Sequence, residues 1–450
     1  MAKSSSLAAF IGLALLIWTA PVQAQQAGPS AAPVTVVQSH ALPPLNSATA
    51  FDPLKATDAY LARVGGKERA QSDAYFEGGY WLILVDAVWT LAVCAFLLWS
   101  KISASLRDFA ERQTRNAFWQ VPLYVGPFFL LITALEFPLT LYEGYFRDKS
   151  YGLMNLSFFG WFGQFLTLTG VGLIEFTIAL TILYWAIRRA GATWWIWATG
   201  LFAVFMVVTV TIQPVLIDPL TNKYTSLPES PLKHDILSLA RANGIPAKDV
   251  FVVDASRQSD RISANVAGFL GTTRIALNDN LLKKSTHDEI LAVLGHEMGH
   301  YVLDHATRLI TMFTLLALVG FAFLNGGFQV AVGFFGGNWD LRRIDDPAGL
   351  PLLTALATIF LLLATPVTNS ITRTTEIQAD MFGINAVRKP DAFSTVVLKL
   401  ANYRKLDPAP WEEAVFYDHP SGRTRIWEMM RWKAEHLDDP DIKAGPASPQ

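Results

Sequence analysis

Apolar positions along this chain gather into long blocks instead of repeating at an amphipathic period. The blocks cover about 79–100, 120–141, 164–187, 193–214, 306–335 and 350–371. A helix needs roughly 20 mostly apolar residues to cross the hydrocarbon core of a bilayer, so each block predicts a membrane-spanning helix. Aromatic and basic residues mark several ends, as at Trp81, Trp99-Ser-Lys101, Trp185, Trp194-Trp195 and Arg308. A shorter apolar run, about Leu7 to Thr19, follows Lys3 and precedes Val22-Gln23-Ala24. It predicts a secretory signal peptide over 1–24, with an uncleaved first anchor as the alternative. Residues 25–50, rich in Ala, Pro, Gln and Ser, predict a flexible linker.

Two stretches break the membrane pattern. Residues 218–305 predict a helix (Pro231–Asn243), a strand (Val250–Val253), a strand pair (Asn265–Leu277) and a helix (Thr286–His305). Residues 373–450 are polar and predict helices. The last two blocks lie between these stretches. Two consecutive spans form a hairpin, so the end of the first stretch and the start of the second emerge on one face. The expected partition is 1–24, an extramembrane segment 25–77, four spans in 78–217, the first half of a polar domain 218–305, a transmembrane hairpin 306–371 and its second half 372–450.

Lys and Arg of short loops orient the chain. Lys101, Arg107, Arg112 and Arg115 lie in one loop, Arg188-Arg189 in the next alternate loop and Arg342-Arg343 in the one after. These loops predict the cytoplasmic side. The polar stretches would then face the periplasm from a bacterial inner membrane.

Composition narrows the chemistry. Of the 450 residues, 52% are apolar and 16% charged, against about 25% charged in a soluble domain. The net charge is -2 with no basic run, which gives no sign of a nucleic-acid partner. Cys94 is the one cysteine, so disulfides within the chain and cysteine-rich zinc sites are excluded. Any bound metal must use His, Asp or Glu.

Thr286-His-Asp-Glu289 reads as a capping box that starts a helix. Along that helix His296 and His300 are four apart, so both imidazoles project from one face and can hold one zinc ion. Glu297 lies beside them as a general base for a zinc-activated water. The bland alternative is a chance match on an amphipathic helix. The surrounding positions are apolar or Gly, however, and burying two His and a Glu without partners is costly. A catalytic zinc needs a third protein ligand and an open position. Leu303 and Ala306 stand where a metzincin needs Gly and His. A Glu from a later helix is the alternative, and Glu376 is offered just past the hairpin. Asp380, one turn on, would hydrogen-bond a ligand histidine. Against this stands an ordinary solvated acidic face. His419, with Arg423 and Arg425 nearby, reads equally as oxyanion stabilisation by His419 or Arg425 and as a helix-start turn with surface arginines. Asp86, Glu136 and Glu175 lie inside apolar blocks. They read either as the lining of a hydrated chamber or as interhelical hydrogen bonding.

Several of these segments together resemble the membrane-bound CAAX prenyl protease type I group, relatives of the HtpX heat-shock proteases. The carriers are Leu227-Pro228, Asn265, Arg274-Ile-Ala-Leu-Asn-Asp279, Leu294-Gly-His-Glu-Met-Gly-His300, Glu376-Ile-Gln-Ala-Asp380 and Asp418-His-Pro-Ser-Gly-Arg-Thr-Arg425. The resemblance implies zinc at His296, His300 and Glu376, one ion per chain, with Glu297 as base. It implies substrate binding along an edge strand at Asn265, and active-site roles for His419 and Arg425. It also implies seven spans around a large chamber. The chain departs from the pattern at Ser263, where a His is frequent, and at Val266-Ala267, where Ala-Tyr is usual.

The fold class expected is predominantly α, a multi-pass transmembrane bundle bearing a gluzincin-type zinc metallopeptidase domain with a small β-sheet. The function expected is a metalloendopeptidase acting on polypeptides at or near the lipid bilayer. A catalytically silent scaffold or chaperone of the same fold would not need Glu297. A transporter built on the buried acids would be expected to show internal repeats, and none is evident.

Overall fold

The computed structural model describes residues 51–267, 273–400 and 403–442. The signal-peptide and linker expectations fall on 1–50, outside the described residues.

The membrane half is helical throughout. It begins with α1 (Pro53–Leu61), α2 (Gly66–Trp99), α3 (Ile102–Gln113), α4 (Ala117–Leu141), α5 (Phe158–Ala190) and α6 (Trp194–Ile212). Among the described residues, five helical runs are long and apolar enough to cross a membrane. The run Phe158–Thr221 contains both α5 and α6, which break at Gly191 (φ 53°) and pack against each other. Its 64 residues exceed the bilayer core about threefold at 1.5 Å per residue, so it accounts for two of the six predicted blocks.

The three basic loops meet. Arg107 on α3, almost fully buried, bridges Asp340 Oδ2 and Asp346 Oδ2 at 2.9 Å each. Arg188 donates to the carbonyls of Ala117 (2.6 Å) and Asp345 (3.4 Å). Inside the bundle, Thr90 on α2 donates to Glu136 Oε1 on α4 at 3.0 Å, and Asp86 lies beside Glu143. Those acids match the interhelical reading. Glu175 instead lines a cavity of about 420 Å³ between α5, α6 and the two later spans, apolar apart from Thr209.

The polar half continues with β1 (Tyr224–Ser226), α7 (Pro231–Ala242), β2 (Val250–Val253), β3 (Ala264–Ala267), β4 (Arg274–Asn278), α8 (Asp279–Lys284) and α9 (His287–Val302). The sheet order is β1-β2-β4-β3, with the central β2–β4 pair parallel and the outer pairs antiparallel. Strand β1 was not expected, because three residues carry no periodicity. β3 is an edge strand, and α9 packs against it.

Next come α10 (His305–Trp339), α11 (Leu350–Val387), α12 (Pro390–Lys399), α13 (Pro410–Phe416) and α14 (Gly422–Glu435). α11 has 38 residues, about 57 Å of helix against a core of about 30 Å. It must therefore project well beyond the bilayer, and its far end carries Glu376 and Asp380. The long α2 projects likewise. Ser72 donates to the Arg404 carbonyl (3.0 Å), and Lys405 pairs with Glu77 (2.6 Å). Tyr60 of α1 donates to Asp391 (2.7 Å) beside the core of Phe393, Ile426 and Met429. The boundary expected at 77/78 thus falls inside one continuous helix whose first half is docked on the polar domain.

Candidate metal centre

Helix α9 presents three faces. Ile290, Leu294 and Met298, each four apart, pack into the core beneath the sheet. Full burial of such side chains contributes roughly 1.5–3 kcal/mol each. Gly295 and Gly299 form a second face against α11. A Cβ on Gly295 would lie 2.6 Å from Val387 Cγ2, and one on Gly299 would lie 3.0 Å from the Ala379 backbone. From the other side, a Cβ on Gly383 would lie 2.7 Å from the His296 amide nitrogen. Three glycines let two helices touch backbone to backbone. The third face holds His296 and His300, which this contact brings opposite Glu376 and Asp380. The capping box fixes where α9 starts: Thr286 N donates to Glu289 Oε2 (2.7 Å) and Glu289 N to Thr286 Oγ1 (3.4 Å). Lys399 pairs with the same Glu289 and ties this turn to α12.

His296 Nε2 lies 3.3 Å from Glu376 Oε2 and 3.1 Å from His300 Nε2, and His300 Nε2 lies 3.6 Å from Glu376 Oε1. One ligand atom from each of these three residues falls within 4.8 Å of the others. His296 Nδ1 sits 2.6 Å from Asp380 Oδ1, so it donates its proton there and Nε2 is left as a lone pair. That lone pair faces Glu376 Oε2, a buried oxygen that receives no well-formed hydrogen bond. Facing acceptors repel unless a cation lies between them. Two imidazole nitrogens and a carboxylate suit a borderline metal such as zinc. Without a metal, a proton fills this role: burial opposes charging His296, but the Asp380 and Glu376 carboxylates outweigh it and push its pKa up to about 10.

Asp380 is held from behind. Arg425 donates to both its oxygens, Nε to Oδ2 at 2.8 Å and Nη2 to Oδ1 at 2.6 Å. Arg425 is 8% exposed and stacks over Phe393. Its guanidinium is thus committed to Asp380, one step removed from the His296 ring. His419, by contrast, reaches the cluster: its Nε2 lies 3.3 Å from Glu376 Oε2, and its Nδ1 lies 3.0 Å from Asp418 Oδ1. Arg373 on α11 donates to the carbonyls of Glu413 (2.7 Å) and Tyr417 (2.6 Å) and so fixes the segment before His419. Glu297 follows His296 on α9 and is partly exposed. Asn265, on β3 opposite Ala276, has a buried Oδ1 without a hydrogen bond.

Sequence reasoning missed five contributors. Gly295 and Gly299 are spaced as a close-packing pair, a signal visible in the sequence, but their partner Gly383 is not. Arg373 gave no signal. The fifth is His305. The helix expected over Thr286–His305 in fact stops at Val302, because Asp304 is left-handed (φ 51°, ψ 43°), and α10 starts at His305. That break turns His305 back onto His300, with Nδ1 3.0 Å from Nδ1.

The family model for Peptidase family M48 matches residues 226–433, which spans the whole cluster. A second model, the CAAX prenyl protease N-terminal region with five membrane helices, matches residues 60–223. Among relatives, an uncharacterized metalloprotease of Bacillus subtilis (strain 168), YhfN, is 30% identical over 332 residues, covering 73% of this chain and 78% of that protein. The chain belongs to peptidase family M48. The CAAX prenyl protease 1 of Saccharomyces cerevisiae is 28% identical over 327 residues, 67% of this chain and 70% of that one. The crystal structure of S. mikatae Ste24p superposes with a TM-score of 0.71 at 20% identity, covering 84% of this chain and 95% of that one, and so has the same fold. This M48 protein is a membrane-embedded metalloprotease that acts on polypeptides, as the motifs predicted.

Proposed function

We propose that this M48 protease is a zinc endopeptidase whose single Zn(2+) is held by His296, His300 and Glu376. The observation that carries the reading is the buried, orphaned Glu376 Oε2 facing the His296 Nε2 lone pair, with His300 Nε2 beside the other Glu376 oxygen. Zinc bound there supplies Lewis-acid polarisation of the scissile carbonyl and a water acidic enough to lose a proton near neutral pH. Glu297 accepts that proton and returns it to the leaving amine. His419, in contact with Glu376, hydrogen-bonds the oxyanion of the tetrahedral intermediate. Asp380 fixes the tautomer and plane of His296, and Arg425 fixes Asp380. Arg425 therefore acts through Asp380 and makes no contact with the transition state.

The substrate is a polypeptide at or near the bilayer. It lies extended along β3 as an added strand, and the free Asn265 Oδ1 takes one of its N–H groups. The joined basic loops are cytoplasmic, which puts the peptidase domain outside a bacterial inner membrane.

The test is bound zinc and peptide hydrolysis in the wild type and in Glu297→Gln. The reading expects one zinc per chain in both and hydrolysis in the wild type alone. Equal hydrolysis by the two, or no zinc in either, overturns it.

A further inference from the structure

The transmembrane hairpin delivers residues to the centre from both of its ends. Glu376 arrives from the end of α11, and His305 is the first residue of α10. We propose that His305 is a positioning residue for the metal, accepting a hydrogen bond from His300 Nδ1 and so presenting His300 Nε2 as a lone pair. The proposal rests on His300 being a ligand.

Its first support is the contact itself. The two Nδ1 atoms are 3.0 Å apart, and the rings meet at 75° with centroids 5.0 Å apart. Only one proton fits between two such nitrogens, so one ring donates and the other accepts. If His300 accepted, its remaining proton would sit on Nε2, pointing at His296 Nε2 3.1 Å away, and no ligand atom would be left. If His300 donates, Nε2 is free to bind. His305 then plays toward His300 the part that Asp380 plays toward His296, as a neutral acceptor in place of an anionic one.

The second support is the backbone. At 3.6 residues per turn, residues five apart project about 140° from each other, so His300 and His305 cannot meet on a regular helix. The left-handed Asp304 brings them together. That conformation is uncommon for a residue other than glycine, and such outliers cluster at functional sites. His305 is 1% exposed, so water does not take the place of this contact. Gln378 adjoins the ring, and Arg308 donates to its Oε1 at 2.6 Å.

The test compares wild type, His305→Asn, His305→Leu and His300→Ala as full-length protein in detergent. Asn keeps an acceptor close to the position of Nδ1, whereas Leu keeps only bulk. Zinc affinity is read by chelator competition, and Tm is read on the zinc-free protein. Removing an outer partner of a ligand typically costs 10–100-fold in metal affinity. His305→Leu should therefore lose about that much, and His305→Asn should recover most of it at an equal zinc-free Tm. Wild-type zinc affinity in His305→Leu overturns the proposal. So does an equal loss in both variants that follows a fall in zinc-free Tm, which is the mark of packing alone. If His300→Ala binds zinc as tightly as wild type, the ligand reading itself has failed and the proposal falls with it.

Discussion

Gly383 on α11 and His296 on α9 touch through their backbones, so closely that a Cβ on Gly383 would sit 2.7 Å from the His296 amide nitrogen. The contact explains how a site can be split across a membrane hairpin. Side chains between the two helices would hold them apart, and His296 could not then reach Asp380 at 2.6 Å.

Replacing Gly383 with Ala should therefore harm both stability and metal binding. Overpacking a filled contact costs about 1–3 kcal/mol, and backbone atoms cannot swing aside as a side-chain tip can. Gly326→Ala on α10 is the control, because its added methyl would meet nothing within 4 Å. Thermal unfolding in detergent and zinc content should drop for Gly383→Ala and hold for Gly326→Ala. A Gly383→Ala protein with wild-type Tm would show that the helices do not meet this closely.

Much of this arrangement was legible in the sequence. Apolar block length placed the spans, the four-residue spacing aligned His296 with His300, and hairpin logic put Glu376 on their side of the membrane. What escaped depends on a second element or a local backbone choice. Gly383 matters only because His296 lies opposite. Asp304 is neither Gly nor Pro, so nothing marked the break that separates Val302 from His305. Arg425 sat in a cluster whose spacing allowed two readings, and only its fork on Asp380 places it one residue behind His296.

That fork yields a second prediction. Arg425→Lys keeps the charge but loses the two parallel bonds that fix the Asp380 carboxylate. Zinc affinity should fall, and catalysis should return as zinc is raised to saturation. Arg425→Ala leaves Asp380 buried without its cation, a change worth about 3–5 kcal/mol in comparable buried pairs, and should unfold at lower temperature. The decisive measurement is kcat of Arg425→Lys at saturating zinc. A value that stays far below wild type would mean that Arg425 touches the transition state directly.

His419 should behave in the opposite way. It faces Glu376 Oε2 from outside the cluster of His296, His300 and Glu376. A donor to the oxyanion contributes about 10²–10³-fold in kcat. His419→Ala should lose that factor while zinc content and KM remain near wild type. Loss of zinc in this variant would instead make His419 part of the metal's coordination.

The joined loops make orientation testable with the chain's own cysteine economy. Cys94 is buried and sits alone among the cysteines, so it gives little background to a membrane-impermeant thiol reagent. Arg343 lies in the loop tied to Arg107, with a side chain 81% exposed, whereas Trp411 on α13 belongs to the peptidase half and is 61% exposed. The Arg107 bridges to Asp340 and Asp346 hold the first loop and the third on one face, so a single label reports for both. In intact bacterial cells stripped of their outer membrane, Trp411→Cys should react at once and Arg343→Cys only after permeabilisation. The reverse order would place the peptidase domain in the cytoplasm. It would also show that the Lys and Arg of the polar domain outweigh those of the three short loops in setting topology.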